Sequence, residues 1–146
     1  MRFLAIALSL LVFSAWAQAH EPIVFHSEEA YRDAGYPFSA AVEADGLIFL
    51  SGTLGTLPGT TKLIEGGIKA ETRQTMDNIK ATLATIGAEM DDIVKCTAML
   101  ADMAEWPAFN SVYKTYFQDN YPARSAFGAS GLALGARIEI ECIAQR

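Results

Sequence analysis

Apolar residues recur along this chain with periods of about 2 and about 3.6 residues, the spacings of strands and helices. Two apolar runs, Ala40-Ala41-Val42-Glu43-Ala44 and Leu47-Ile48-Phe49-Leu50-Ser51, are separated by Asp45-Gly46. They predict a β-hairpin, because Asp-Gly suits the two-residue turn that right-twisted strands require. Residues 52–67, rich in glycine and threonine and containing Pro58, predict a loop. Over about 70–86 the period changes: Met76, Ile79, Leu83 and Ile86 fall on one helical face, and Gly87 ends the pattern. Residues 92–100 predict a strand with Val94, Cys96, Ala98 and Leu100 on one face. A second helix is predicted over about 103–118, with Phe109, Val112, Tyr113, Tyr116 and Phe117 as its apolar stripe. Residues 124–129 and 136–144 make the last two strands, joined through Gly131 and Gly135, and a short strand over 23–25 stands ahead of the hairpin.

The order β-β-α-β-α-β-β predicts an α+β domain of two layers, a mixed sheet with two helices on one face. In the last strand, Ile138, Ile140 and Cys142 alternate with Glu139 and Glu141. The helices are expected to cover the face that carries Cys96, Ile138, Ile140 and Cys142. The opposite face, with Thr97, Met99, Glu139 and Glu141, is left uncovered, and a partly apolar sheet face without a cover marks a protein interface.

Ahead of this domain, Arg2, the apolar run 3–13 and the sites Ala15-Trp16-Ala17 or Ala17-Gln18-Ala19 have the form of a secretory signal. The run is too short to span a bilayer. Residues 1–19 are therefore expected to be removed. Residues 20–146 would then form one exported domain, periplasmic or secreted, with no membrane attachment after cleavage. The chain carries 11 basic against 17 acidic residues, a net charge of −6, and loss of Arg2 deepens that imbalance. Nucleic acid is not an expected partner, since phosphate binding calls for a basic surface. The two cysteines, Cys96 and Cys142, form neither a disulfide framework nor a metal signature. They are expected to be buried free thiols, although an oxidising compartment leaves a bridge open. His20 and His26 are the only histidines, both near the predicted mature terminus, so no histidine metal site is expected.

The candidate chemistry lies late in the chain. Arg124 follows the corner Tyr121-Pro122-Ala123, and Glu139 and Glu141 share a strand face. Carboxylates on an otherwise apolar strand are rarely buried unless paired or functional. A planar guanidinium grips a carboxylate through two parallel hydrogen bonds. The competing structural reading is an ion pair of Arg124 with Glu139 or Glu141. Ser51 ends a strand and has no histidine close in sequence, so it fits a pocket hydrogen bond or a strand-end cap better than a nucleophile. Asn110, between Phe109 and Val112, suits structural glue or a pocket wall equally, and Asn78 suits a loop anchor.

Several motifs occur in order: Pro37-Phe38-Ser39, Leu50-Ser51-Gly52, Glu71-Thr72-Arg73-Gln74 with Asp77-Asn78-Ile79-Lys80, Phe109-Asn110-Ser111-Val112-Tyr113, Pro122-Ala123-Arg124-Ser125 and Ile138-Glu139-Ile140-Glu141. Together, over about 37–144, they resemble the Rid (YjgF-type) enamine/imine deaminase family. The resemblance implies a chorismate-mutase-like fold and a homotrimer with active sites in the clefts between subunits. It implies hydrolysis of reactive 2-imino acids to 2-oxo acids and ammonia, with no metal or organic cofactor. By motif, Arg124 matches the arginine for the substrate carboxylate and Glu139 the glutamate associated with the attacking water. Ser51 and Asn110 match pocket positions, and Phe38 matches an aromatic position that is tyrosine in some members. The chain departs from the pattern in Ala126-Phe127-Gly128-Ala129, in a final turn without the Leu-Pro of many relatives, and in its signal segment. Familiar members protect pyridoxal-phosphate enzymes inside the cell, so an exported copy implies a different source of imine. Two rival classes are a non-catalytic trimeric module that binds small carboxylate metabolites, and an RNA-cleaving activity. The acidic balance and the lack of a histidine acid/base pair argue against the second.

Overall fold

The computed structural model describes residues 21–27, 29–33, 35–118 and 120–146, so the predicted signal segment and His20 lie outside the described residues. Strands β1 (Val24–His26), β2 (Ala41–Ala44), β3 (Leu47–Leu50) and β4 (Thr53–Leu54) come first, with a short helix α1 (Glu29–Asp33) after β1. Helix α2 (Gly67–Thr85), strand β5 (Ile93–Leu100), helix α3 (Trp106–Tyr113), and strands β6 (Ala123–Gly128) and β7 (Ile138–Gln145) follow. The sheet order is β1-β2-β3-β7-β5-β6, with β4 pairing to β7 beyond the end of β3. Among the described strands only β5 and β6 run parallel; the other pairs are antiparallel. The predicted mixed sheet is thus observed, and the hairpin turns at Asp45-Gly46, both with positive φ (48° and 76°).

The core lies between the sheet and the two long helices. Met76, Ile79 and Leu83 of α2 and Phe109 and Tyr113 of α3 pack against Ile48, Leu50, Ala98, Leu100, Ile138, Ile140 and Ala144. Burying one large apolar side chain contributes roughly 1.5–3 kcal/mol, so this stripe does most to hold the two layers together. Helix α2 ends as its sequence suggests: the N–H groups of Gly87 and Ala88 reach back to the carbonyls of Ala84 (3.2 Å) and Leu83 (3.0 Å).

The second helix is broken into three pieces. A 3-10 turn over Met103–Glu105, begun by Asp102, leads into α3, and another over Lys114–Tyr116 follows it. Pro107 sits in the first turn of α3, where a missing N–H costs nothing. The Tyr116 hydroxyl ties the far end to α2 by donating to Asp77 Oδ1 at 2.8 Å.

Two expectations about β5 are corrected. Ile93 pairs with Ala144 and Lys95 with Ile143, so β5 carries one extra residue, a bulge at Val94. The bulge reverses the local alternation: Ile93 turns into the core and Val94, expected on the buried face, is 43% exposed. Beyond the bulge Cys96 lies directly opposite Cys142, with Cα atoms 4.1 Å apart, and the two form a disulfide rather than free thiols. Both half-cystines are buried on the face the helices cover, as their positions in the alternation predicted.

Candidate active site

Arg124 stands on β6, the edge strand, in register with Cys96, which is in turn opposite Cys142. Paired residues on neighbouring strands point to the same side of a sheet. The Arg124 side chain therefore turns towards the helix layer, where α3 and the residue at its start meet it with three rings. Its guanidinium carbon is 5.0 Å from the Trp106 ring centroid, 5.2 Å from Phe109 and 4.6 Å from Tyr113. Aromatic faces attract a cation, and they supply no acceptor that would use up the N–H fork. No carboxylate among the described residues pairs with it. The competing intrachain ion pair to Glu139 or Glu141 is not formed. Arg124 opens on a cleft of about 280 Å³ lined also by Asn110, Tyr113, Lys114, Tyr121 and Pro122. Asn110 is thus brought beside Arg124, as a pocket wall.

Glu139 lies on the other side of the sheet. It is opposite Met99 of β5 and Leu54 of β4, on the face that no helix of the described residues covers. A Cβ at position 52 would collide with Glu139 Oε1. Only glycine leaves room for the carboxylate to fold over the backbone there. Burial pushes the Glu139 carboxyl above the usual carboxylate range, and the neighbouring Glu141 charge adds to the shift.

Ser51 precedes Gly52, and its Oγ donates to the Ser39 carbonyl at 2.7 Å. Its hydroxyl proton is committed to holding two strand ends together, the structural reading of this residue. Phe38, one residue before Ser39, is 46% exposed and stacks on Tyr36 at 5.3 Å between ring centroids. Asn78 acts as a loop anchor, as its sequence position suggests: its Nδ2 donates to the carbonyls of Leu54 (3.0 Å) and Thr56 (2.9 Å).

The structure thus brings the predicted residues into two groups. Arg124 and Asn110 share a cleft on the helix side of the sheet edge. Gly52 and Glu139 share the uncovered side, with Ser51 next to Gly52 in the chain and Phe38 next to Ser39, the acceptor of the Ser51 hydroxyl. The two groups do not meet within one chain. The aromatic seat of Arg124 and the role of Gly52 were missed at the level of sequence. A signal for the first existed in the spacing of Trp106, Phe109 and Tyr113 at three and four, but that stripe also describes an ordinary core helix.

An α+β domain of two layers, with an arginine that lies over aromatic rings and pairs with no carboxylate among the described residues, and a half-buried carboxylate on the far sheet face, is the class that this geometry defines; its fold is chorismate-mutase-like. A family model described as Endoribonuclease L-PSP matches residues 29–146. Reactive Intermediate Deaminase A, chloroplastic, of Arabidopsis thaliana is 43% identical over 121 residues, 83% of this chain and 64% of that protein. This chain therefore spans under two thirds of that relative's length. The 2-iminobutanoate/2-iminopropanoate deaminase of Mus musculus is 41% identical over 108 residues, 74% of this chain and 80% of that protein. Among solved structures, the Rid-family protein YyfA of Yersinia pestis aligns with a TM-score of 0.73 at 37% identity, covering 76% of this chain and 89% of that one. Yeast Mmf1 aligns with a TM-score of 0.74 at 32% identity, covering 88% and 99%. The chain belongs to the Rid/YjgF (L-PSP) family.

Proposed function

We propose that this protein is a hydrolytic deaminase that converts reactive 2-imino and enamine acids to 2-oxo acids and ammonia, and that it works as an exported homotrimer without a metal or organic cofactor. The observation that carries this reading is the Arg124 guanidinium, which has aromatic rings beneath it and, among the described residues, no carboxylate partner. Such a group is poised for the carboxylate of a small acid. The names of the mouse and Arabidopsis relatives support the choice of an imine as the electrophile.

The chemistry asks little beyond positioning and proton transfer. Arg124 orients the substrate through its carboxylate. A water oxygen bonds to the imine carbon while Glu139 takes a proton from that water and passes it to nitrogen. Glu139 then takes the remaining hydroxyl proton and delivers it to the nitrogen as the C–N bond breaks, leaving a carbonyl, ammonia and the free carboxylate. An enamine enters the same route after tautomerising to the imine.

Arg124 and Glu139 project from opposite faces of the sheet, so the full set needs residues of two subunits. The uncovered face supports that assembly. It carries the apolar side chains Phe49, Met99, Phe127 and Ile143 beside Glu139, and Phe49 and Phe127 are half exposed in the single chain. The buried disulfide agrees with folding in an oxidising compartment, and with it the exported location proposed for residues 20–146. A protein recovered from its own cell with Met1 intact would overturn the export.

The deciding assay generates 2-iminopropionate in situ with an amino-acid oxidase and follows its loss with and without the protein. Acceleration of ammonia release supports the proposal. Unchanged decay together with tight binding of a 2-oxo acid would favour the non-catalytic carboxylate-binding module.

A further inference from the structure

Among the described residues two buried side-chain oxygens have no hydrogen-bond partner, Thr75 Oγ1 and the Tyr113 hydroxyl. Thr75 is in the interior of α2 and does not line the arginine cleft. Tyr113 does: it is 3% exposed, its ring lies 4.6 Å from the Arg124 guanidinium carbon, and it borders the cleft with Asn110, Lys114 and Arg124. An unpartnered buried hydroxyl is costly, and phenylalanine would fill the same space without that cost. The ring alone explains the packing and the cation contact. The oxygen is left without a purpose in the free protein.

We infer that the Tyr113 hydroxyl is a second donor to the substrate carboxylate, binding one oxygen of the anion that Arg124 holds. This rests on the proposed reading of Arg124 as the carboxylate anchor. The guanidinium lies across the Tyr113 ring, and as its fork turns to an incoming anion the hydroxyl gains the acceptor it lacks. Burial pushes the phenol up to about 12, against the opposing pull of Arg124, so the group keeps its proton at physiological pH. Tyr113 is therefore a fixed donor rather than a proton carrier. A neutral donor beside a guanidinium adds direction to the grip without adding a second charge, and favours a planar carboxylate over a spherical anion.

The test is Tyr113→Phe, which keeps the ring and removes only the oxygen. Binding of 2-oxobutyrate is measured by calorimetry, KM and kcat with 2-iminopropionate, and thermal stability by melting. The expected result is a Kd and KM raised about tenfold or more, since the lost bond is to a charged acceptor. The kcat should change little, and Tm should stay level or rise as an unsatisfied group disappears. Unchanged Kd and KM would overturn the inference. A lowered Tm or a failure to fold would also overturn it, because the hydroxyl would then be holding a structural bond. The outcomes separate this inference from the reading it rests on. Tyr113-dependent binding of 2-oxobutyrate without deaminase activity would sink the reaction and leave the donor. Deamination that is indifferent to Tyr113→Phe would do the reverse. A wild-type protein that neither binds the 2-oxo acid nor deaminates would sink both.

Discussion

Arg124 has a neighbourhood that distinguishes its geometry from its charge. Lysine would keep the cation over Trp106, Phe109 and Tyr113, but an ammonium cannot place two parallel N–H groups against one carboxylate. Arg124→Lys should lose one charge-assisted bond, about 1.5–3 kcal/mol, and kcat/KM on 2-iminopropionate should fall roughly ten- to a hundredfold. Full activity in that variant would remove Arg124 from the site. Glu139 raises a different question, because its folded pKa is raised. Between the unfolded and folded pKa values the native state binds more protons, so stability falls as pH rises through that window. Glu139→Gln should therefore melt higher than the wild type at neutral pH, and the advantage should vanish in acid, where the wild-type carboxyl is also neutral. The same variant should lower kcat more than it raises KM, and it should lose the acid limb of the rate profile, which lies above the ordinary glutamate range. Glu141→Gln is the comparison: it shares the strand face and is exposed, so its kinetic effect should be smaller. A larger effect at Glu141 would reverse the assignment.

At the scale of elements, β5 and β7 are central, and the disulfide Cys96–Cys142 joins them across a closed loop of sequence separation 46. Chain-entropy reasoning puts a bridge over a loop of that size at about 4 kcal/mol. Replacing both cysteines with alanine should lower the denaturant midpoint by a corresponding amount, and a variant as stable as the wild type would contradict the role. Reductant should act slowly on the native protein, because both sulfurs are shielded by the helix layer. The elements themselves were largely legible. The stripe Met76, Ile79, Leu83 and Ile86 located α2, and Asp45-Gly46 located the hairpin. The breaks around α3 and the bulge at Val94 were not legible. Both come from how a segment meets its neighbours, and period counting assumes one uninterrupted element. The bridge was missed for a related reason: alternation assigned both cysteines to one face, but their opposition is a matter of register between strands 46 residues apart.

For the whole molecule, the uncovered sheet face is the feature to test. Met99 is central there, opposite both Glu139 and Phe127. Met99→Asp should place an unpaired charge in the proposed contact, convert the trimer to monomer at micromolar concentration and reduce deaminase activity in step. Light scattering on the wild type and the variant reads the assembly directly. A wild-type monomer would overturn the trimer, and a monomeric variant with full activity would overturn the shared site.

The chain's own pattern determined the class of fold, the faces of its helices and final strand, and the residue types proposed to carry the chemistry. These follow from local periods and from ordered motifs, which are written along the chain. The tertiary structure decided what depends on pairs of distant segments. It seated Arg124 on the rings of α3, folded Glu139 over Gly52, joined Cys96 to Cys142, and turned Arg124 and Glu139 to opposite faces. Strand order and register set those relations. A shift of one residue sends a side chain through to the other face, so a local pattern can say that a residue has a face but not which partner it finds there.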